Sequence, residues 1–293
     1  MLQITADIFS GRPNPTLVVE ADEAMKLLEE ISRNQSAIAA VHEGYQGLGY
    51  RGLVVETLSD NISSKYDLPA TFRIGHNSHE KGLGVVEKVL SSMLRTQLLD
   101  EPVHRLIIGE IRRLRSREET AEADAFAPPV APVIREAVTC WIELGHFNPG
   151  FWNDPAHIGR NNCYHYASNH RRDTFRVLPG GGQPGAGCGH MYTAFTCAEV
   201  TRAALCDGLH HRFDCFTDSE KPRWLMALVV APGYDFHWYR KQHEGFWGHK
   251  PGGTAARNVD NNGAIVWNPE TAARLPYTDF CGYFYACKSQ KII

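Results

Sequence analysis

The sequence predicts an α+β protein built in two parts, and three observations carry that expectation. Short stretches near the start alternate apolar and polar residues with the period of a half-buried strand, first over Leu2–Phe9 and again over Thr16–Glu20. Three segments, Ala24–Ile31, Val85–Leu94 and Val103–Leu114, carry apolar residues at helical spacing. Far downstream, Trp224–Val230 is a continuous apolar run of strand length, and the aromatic run Phe236–Arg240 returns beside it after a Pro232-Gly233 turn. An acidic, alanine-rich and then proline-rich stretch separates the halves. Pro128, Pro129 and Pro132 cannot propagate a helix, so the expected organisation is an α+β module over 1–118, a linker over 119–132 and a second domain over 133–293.

Along the first part, the two alternating stretches read as strands joined by a rigid Ser10-Gly11-Arg12-Pro13-Asn14-Pro15 loop. Ala24, Leu27, Leu28 and Ile31 share one helical face, and the stretches 48–56 and 70–75 each read as a turn or edge with a strand. Val85, Val86, Val89, Leu90, Met93 and Leu94 predict a helix over about 83–96. Asp100 then caps a further helix with Pro102 in its first turn and Val103, Leu106, Ile107, Ile111 and Leu114 inward. Its end, Arg112–Arg117, puts cations where the helix dipole favours them.

In the second part, helices are expected over 133–144, from Cys163 to about Arg172 and over 196–209 with Gly208 as a stop. The glycine-rich run 179–189 reads as a flexible rim over a cleft, and no Gly-Lys-Ser/Thr follows to make it a phosphate cradle.

Composition narrows the function classes. With 293 residues, 43% hydrophobic and 22% charged, the chain is long enough for one large or two modest globular domains. A net charge of −3 and no basic tract beyond Arg112–Arg117 argue against nucleic acid as a partner. No apolar run is long enough to cross a bilayer, so no membrane partner is expected either. Met1–Asp7 lacks the basic and apolar segments of an export signal, which makes a cytoplasmic protein the expectation, and with it free thiols at the eight cysteines, all of which lie from Cys140 onward.

The chemistry-bearing stretch is 161–170, Asn-Asn-Cys-Tyr-His-Tyr-Ala-Ser-Asn-His, because it follows a loop and opens a helix. A cysteine at a helix N-terminus meets unpaired backbone N–H groups that favour thiolate, which makes Cys163 the candidate nucleophile. His237, opening the aromatic strand, is the candidate base. Asn258 or Asp260, in the turn beyond it, is the candidate that orients the imidazole.

The order Cys163, His237, then Asn258 or Asp260 resembles that of papain-like cysteine hydrolases, including the bacterial NlpC/P60 branch, over the second half only. The resemblance implies a helix bearing the cysteine packed on an antiparallel sheet bearing the histidine. It implies an oxyanion site at Asn161 or Asn162 and an amide or thioester substrate, peptide or small molecule, with no cofactor. Trp238, Tyr239, Trp247 and His165 are the expected substrate contacts.

Two other readings stay open. The first is a metal-binding protein or metal-dependent hydrolase using His165, His170, Cys188, His190, Cys206, His210 and His211, although tight zinc-type pairs are missing from the spacing. The second is an inactive papain-like interaction protein.

Overall fold

The computed structural model describes residues 1–58, 65–76, 80–118, 142–212 and 214–293, with the side chains of 80–82 and 113–118 outside that description. It is a mixture of helix and antiparallel sheet, divided into two compact units. The first comprises Met1–Ile8 and Asn14–Ala125; the second comprises Phe9–Pro13 and Phe126–Ile293.

The first unit is a five-stranded antiparallel sheet with helices. β1 (Leu2–Asp7) pairs with β2 (Thr16–Val19) on one side and β4 (Gly52–Thr57) on the other; β5 (Thr71–Ile74) and the short β3 (Ile38–Ala39) complete the order β2-β1-β4-β5-β3. Alternation does what the sequence expects, burying Leu2, Ile4 and Ala6 along β1. α1 (Ala21–Ser32) buries Ala24, Leu27, Leu28 and Ile31, and α2 (Glu80–Arg95) buries Val85, Val86, Val89, Leu90 and Met93. α3 (Glu101–Glu118) starts at Asp100, whose Oδ1 accepts the Val103 N–H at 2.9 Å.

Leu106 departs from expectation. The buried stripe of α3 runs through Val103, Ile107 and Ile111, one residue in four, and leaves Leu106 on its flank, 40% exposed. At the far end of β1, the buried Asp7 pairs with two buried guanidiniums, Arg51 at 2.7 Å and Arg73 at 3.0 Å.

In the second unit the sheet order is β6-β10-β7-β8-β9, all antiparallel. β7 (Trp224–Ala231) is its central strand, flanked by β8 (Asp235–Lys241) and β10 (Asp279–Ala286), with β9 (Trp247–His249) and β6 (His210–His211) at the edges. Strand β7 is buried on both faces, which is why it reads as an unbroken apolar run. One face carries Met226, Leu228, Val230, Phe236, Trp238, Phe284 and Ala286. It is covered by α5 (Cys163–Ala167) and α6 (Cys197–Cys206) through Cys163, Tyr164, Ala167, Val200 and Ala204.

Several expectations are corrected here. The helix expected to reach Arg172 stops at Ala167, and Asn169 takes a left-handed φ of 59° just beyond. A short α4 (Pro149–Asn153) precedes it. Of the helix expected over 133–144, only 142–144 lies within the described residues, and it is not helical; the linker 119–132 lies outside them.

Far from being a flexible rim, the glycine-rich run is buried over 181–185 and tied down: the Gly185 and Cys188 N–H groups donate to the Asp207 carboxylate at 2.7 and 3.1 Å. Five of the cysteines expected to be free thiols are disulfide-bonded. Cys197–Cys281 and Cys188–Cys206 are disulfides that fix the first and last residues of α6 to β10 and to the glycine-rich run, and Cys215 is disulfide-bonded as well. Cys163 and Cys287 are free and buried.

Candidate functional site

The start of α5 is organised by Asn162. Its Oδ1 accepts the N–H groups of Tyr164 and His165 at 3.1 and 3.2 Å, and its Nδ2 donates to the Gly11 and Gly182 carbonyls at 2.6 and 2.7 Å. In return the Asn162 N–H donates to His165 Nδ1 at 3.3 Å, closing a reciprocal cap. His165 Nε2 then lies 3.2 Å from the Ile293 carbonyl, and burial drives this imidazole's pKa down to about 3, so it is neutral. Gly182, at φ 68°, fits against that ring only because it lacks a side chain: a Cβ there would sit 2.5 Å from His165 Cε1.

The preceding Asn161 is bound just as fully. It donates to the His157 carbonyl and to Asp173, and accepts the N–H groups of Arg172 and Asp173. The two expected oxyanion residues are thus buried structural amides whose donors already have acceptors.

Cys163 does open a helix, but one of five residues, and its side chain lies in the apolar cluster with Phe236 and Trp238. Burial first, and the neighbouring Asp235 carboxylate second, push the thiol pKa well above its ordinary value. That is the opposite of an activated thiolate.

His237 stands between Phe236 and Trp238 on β8, so alternation turns it to the other face of the sheet, opposite Val229 of β7. There it packs with Tyr239, His249 and Tyr277, and its Nε2 is 2.9 Å from His249 Nδ1. His249 Nε2 lies 2.9 Å from the Val259 carbonyl, which can only accept. His249 therefore carries its proton on Nε2, and His237 donates from Nε2 to His249 Nδ1. Burial holds the His249 pKa near 3.

The candidates for the third member hold backbone groups. Asp260 binds its own turn, taking the N–H groups of Asn262, Ala264 and Ala273 at 2.9, 3.1 and 2.9 Å, and Asn258 gives its carbonyl to Val266 N–H. The structure thus brings Cys163 together with Trp238 on one face of the sheet and His237 with His249 on the other. Trp238, Tyr239, Trp247 and His165, expected to touch substrate, are buried packing residues. The metal reading loses two of its ligands to the Cys188–Cys206 bond, and among the described residues no three His, Cys, Asp or Glu side chains are placed to share an ion.

Three organising groups escaped the sequence reading. Asp235 is a fully buried carboxylate that accepts the Ser10 N–H at 2.5 Å, the Gly11 and Arg12 N–H groups and the Tyr277 hydroxyl at 2.6 Å. Lys250, also buried, donates to the carbonyls of Ile158, Asn161 and Gly252 at 2.6, 2.6 and 2.9 Å. His249 is the third. The signal available for Asp235 was a lone acid at the head of an apolar strand, a residue that needs partners if buried.

No protein-family model matches the chain, and no solved structure does. A stretch of 139 residues, 47% of this chain, is 42% identical to insoluble matrix shell protein 1 of Ruditapes philippinarum and covers 86% of that protein.

Proposed function

The chain belongs to the family of insoluble matrix shell protein 1, and on that premise we propose that it is a non-catalytic building component of an insoluble extracellular matrix. One observation carries the proposal: the polar groups that a thiol hydrolase would turn toward a substrate are instead consumed inside the fold, holding loops together. Disulfides at both ends of α6 fit a chain matured in an oxidising compartment, so the cytoplasmic expectation gives way to an extracellular one. No described helix is long and apolar enough to cross a membrane.

Differential alkylation of the chain recovered from its native source tests this reading. Cys188, Cys197, Cys206, Cys215 and Cys281 should take up reagent only after reduction, and Cys163 and Cys287 only after denaturation, in material that sediments with the detergent-insoluble matrix. A soluble intracellular pool in which all of them react without reductant would overturn it.

A second reading, a cysteine-dependent hydrolase or acyltransferase, draws on a specific observation, the ordered His237–His249 pair, which has the form of a base held by an orienting group. It requires Cys163 and His237 to share a face of the sheet. Acylation of Cys163 by an activated ester, lost on His237→Ala, is its test.

A further inference from the structure

Phe9–Pro13 is part of the second unit, while the residues on either side of it, Met1–Ile8 and Asn14 onward, belong to the first. Within the second unit its backbone is read almost atom by atom. Ser10, Gly11 and Arg12 donate three successive N–H groups to the Asp235 carboxylate, at 2.5, 3.1 and 3.2 Å. In the other direction, the Gly11 carbonyl accepts from Asn162 Nδ2 at 2.6 Å and Gln183 Nε2 at 2.8 Å, and the Ser10 carbonyl accepts the Gly252 N–H at 3.1 Å.

Side-chain selection is added to these backbone contacts. Gly11 lies against the ring of Phe236 so closely that a Cβ would come within 2.5 Å of it, which restricts the position to glycine. The Arg12 guanidinium lies 3.6 Å from the centre of the Phe9 ring and 4.5 Å from that of Phe195; burial raises the Asp235 pKa, and the Tyr277 hydroxyl and the Arg12 charge partly offset that rise. The strap bends over Ser10–Arg12, so that its successive N–H groups form a concave nest around one carboxylate, and main-chain hydrogen bonds that give affinity combine with side-chain contacts that give selectivity. The seat itself is assembled from elements remote in sequence: the α5 cap, the glycine-rich run, the head of β8 and the turn after β9.

We propose that this seat is a peptide-recognition site selective for a bent Ser-Gly-Arg segment whose successive N–H groups converge on one carboxylate, and that Phe9–Pro13 is its resident occupant. A strap held this way raises its own effective concentration, so free peptide competes poorly until the strap is weakened. Gly11→Val weakens it directly, by driving a branched side chain into Phe236.

The test is fluorescence anisotropy with a labelled synthetic peptide, Phe-Ser-Gly-Arg-Pro-Asn-Pro, added to three full-length chains whose circular dichroism spectra are native. The Gly11→Val chain should bind it at least about tenfold more tightly than the unmodified chain, as expected when a competing strap is removed. The Gly11→Val/Asp235→Asn chain should not bind it, and a peptide with valine in place of its glycine should bind none of the three. Should Gly11→Val fail to fold, Ser10→Pro takes its place, since it deletes one donated N–H and adds no bulk against Phe236. Absence of binding to the weakened-strap chain would overturn the proposal, as would equal binding whether or not Asp235 is replaced.

Discussion

The two units bury polar groups to different extents. In the first, polar burial centres on Asp7 with Arg51 and Arg73 at the end of regular strands and on Glu110, which accepts the Tyr50 N–H, while most of the core is alternation and amphipathic helix. The second contains long irregular stretches and holds them with buried hubs, Asn162, Asp207, Asp235 and Lys250, each gripping several backbone groups, and with disulfides around α6. The contrast teaches that a cluster of Asn, Asp, His and Lys in a loop-rich region can be the means by which loops are packed.

The sharpest way to break this comparison is through the covalent braces. Cys197→Ser with Cys281→Ser opens a link spanning 84 residues and should cost the second unit about 3–5 kcal/mol. All six tryptophans lie from Trp141 onward, so urea unfolding followed by tryptophan fluorescence reads that unit directly.

Next in size is a matched pair of hub deletions. Asp7→Asn removes the charge shared by two buried guanidiniums and should destabilise the first unit by about 3–5 kcal/mol. Asn162→Ala strips the partners from buried backbone groups of the second unit and should cost about 2–4 kcal/mol. Hydrogen exchange should localise the first loss to β1 and β4 amides, and the second to α5 and the glycine-rich run.

Confined to the second unit, and graded rather than all-or-none, is a dependence on pH. His165 and His249 are held neutral with pKa values near 3, below the ordinary 6.5, so between those values the unfolded chain binds more protons than the folded one. Their contribution is whole above about pH 6.5 and is lost as pH falls toward 3, with a limiting slope of about 1.4 kcal/mol per pH unit for each group. Urea midpoints measured from pH 7 to pH 4 should fall along that line, and His249→Gln should flatten it.

How much was legible in the sequence follows the same division. Helices α1 and α2 were readable because Ala24, Leu27, Leu28 and Ile31, or Val85, Val86, Val89 and Leu90, repeat with one period and meet one core. β7 and its pairing with β8 were readable from an apolar run and a Pro-Gly turn.

The site was not readable, because residue type and order say nothing about which face of a strand a side chain occupies. His237 sits one residue from Trp238, and that single step places it across the sheet from Cys163. Nor was the partnership of Asp235 with Ser10–Arg12 visible, since 223 or more residues separate them and no local pattern announces the contact.

The most direct test of the whole account is the reactivity of Cys163 in the folded chain. With iodoacetamide at pH 6–8 and detection by mass spectrometry, the account predicts that Cys163 stays unmodified until denaturant is added, and that His237→Ala changes nothing. Rapid, selective labelling of Cys163 at pH 6 that disappears in His237→Ala would contradict it.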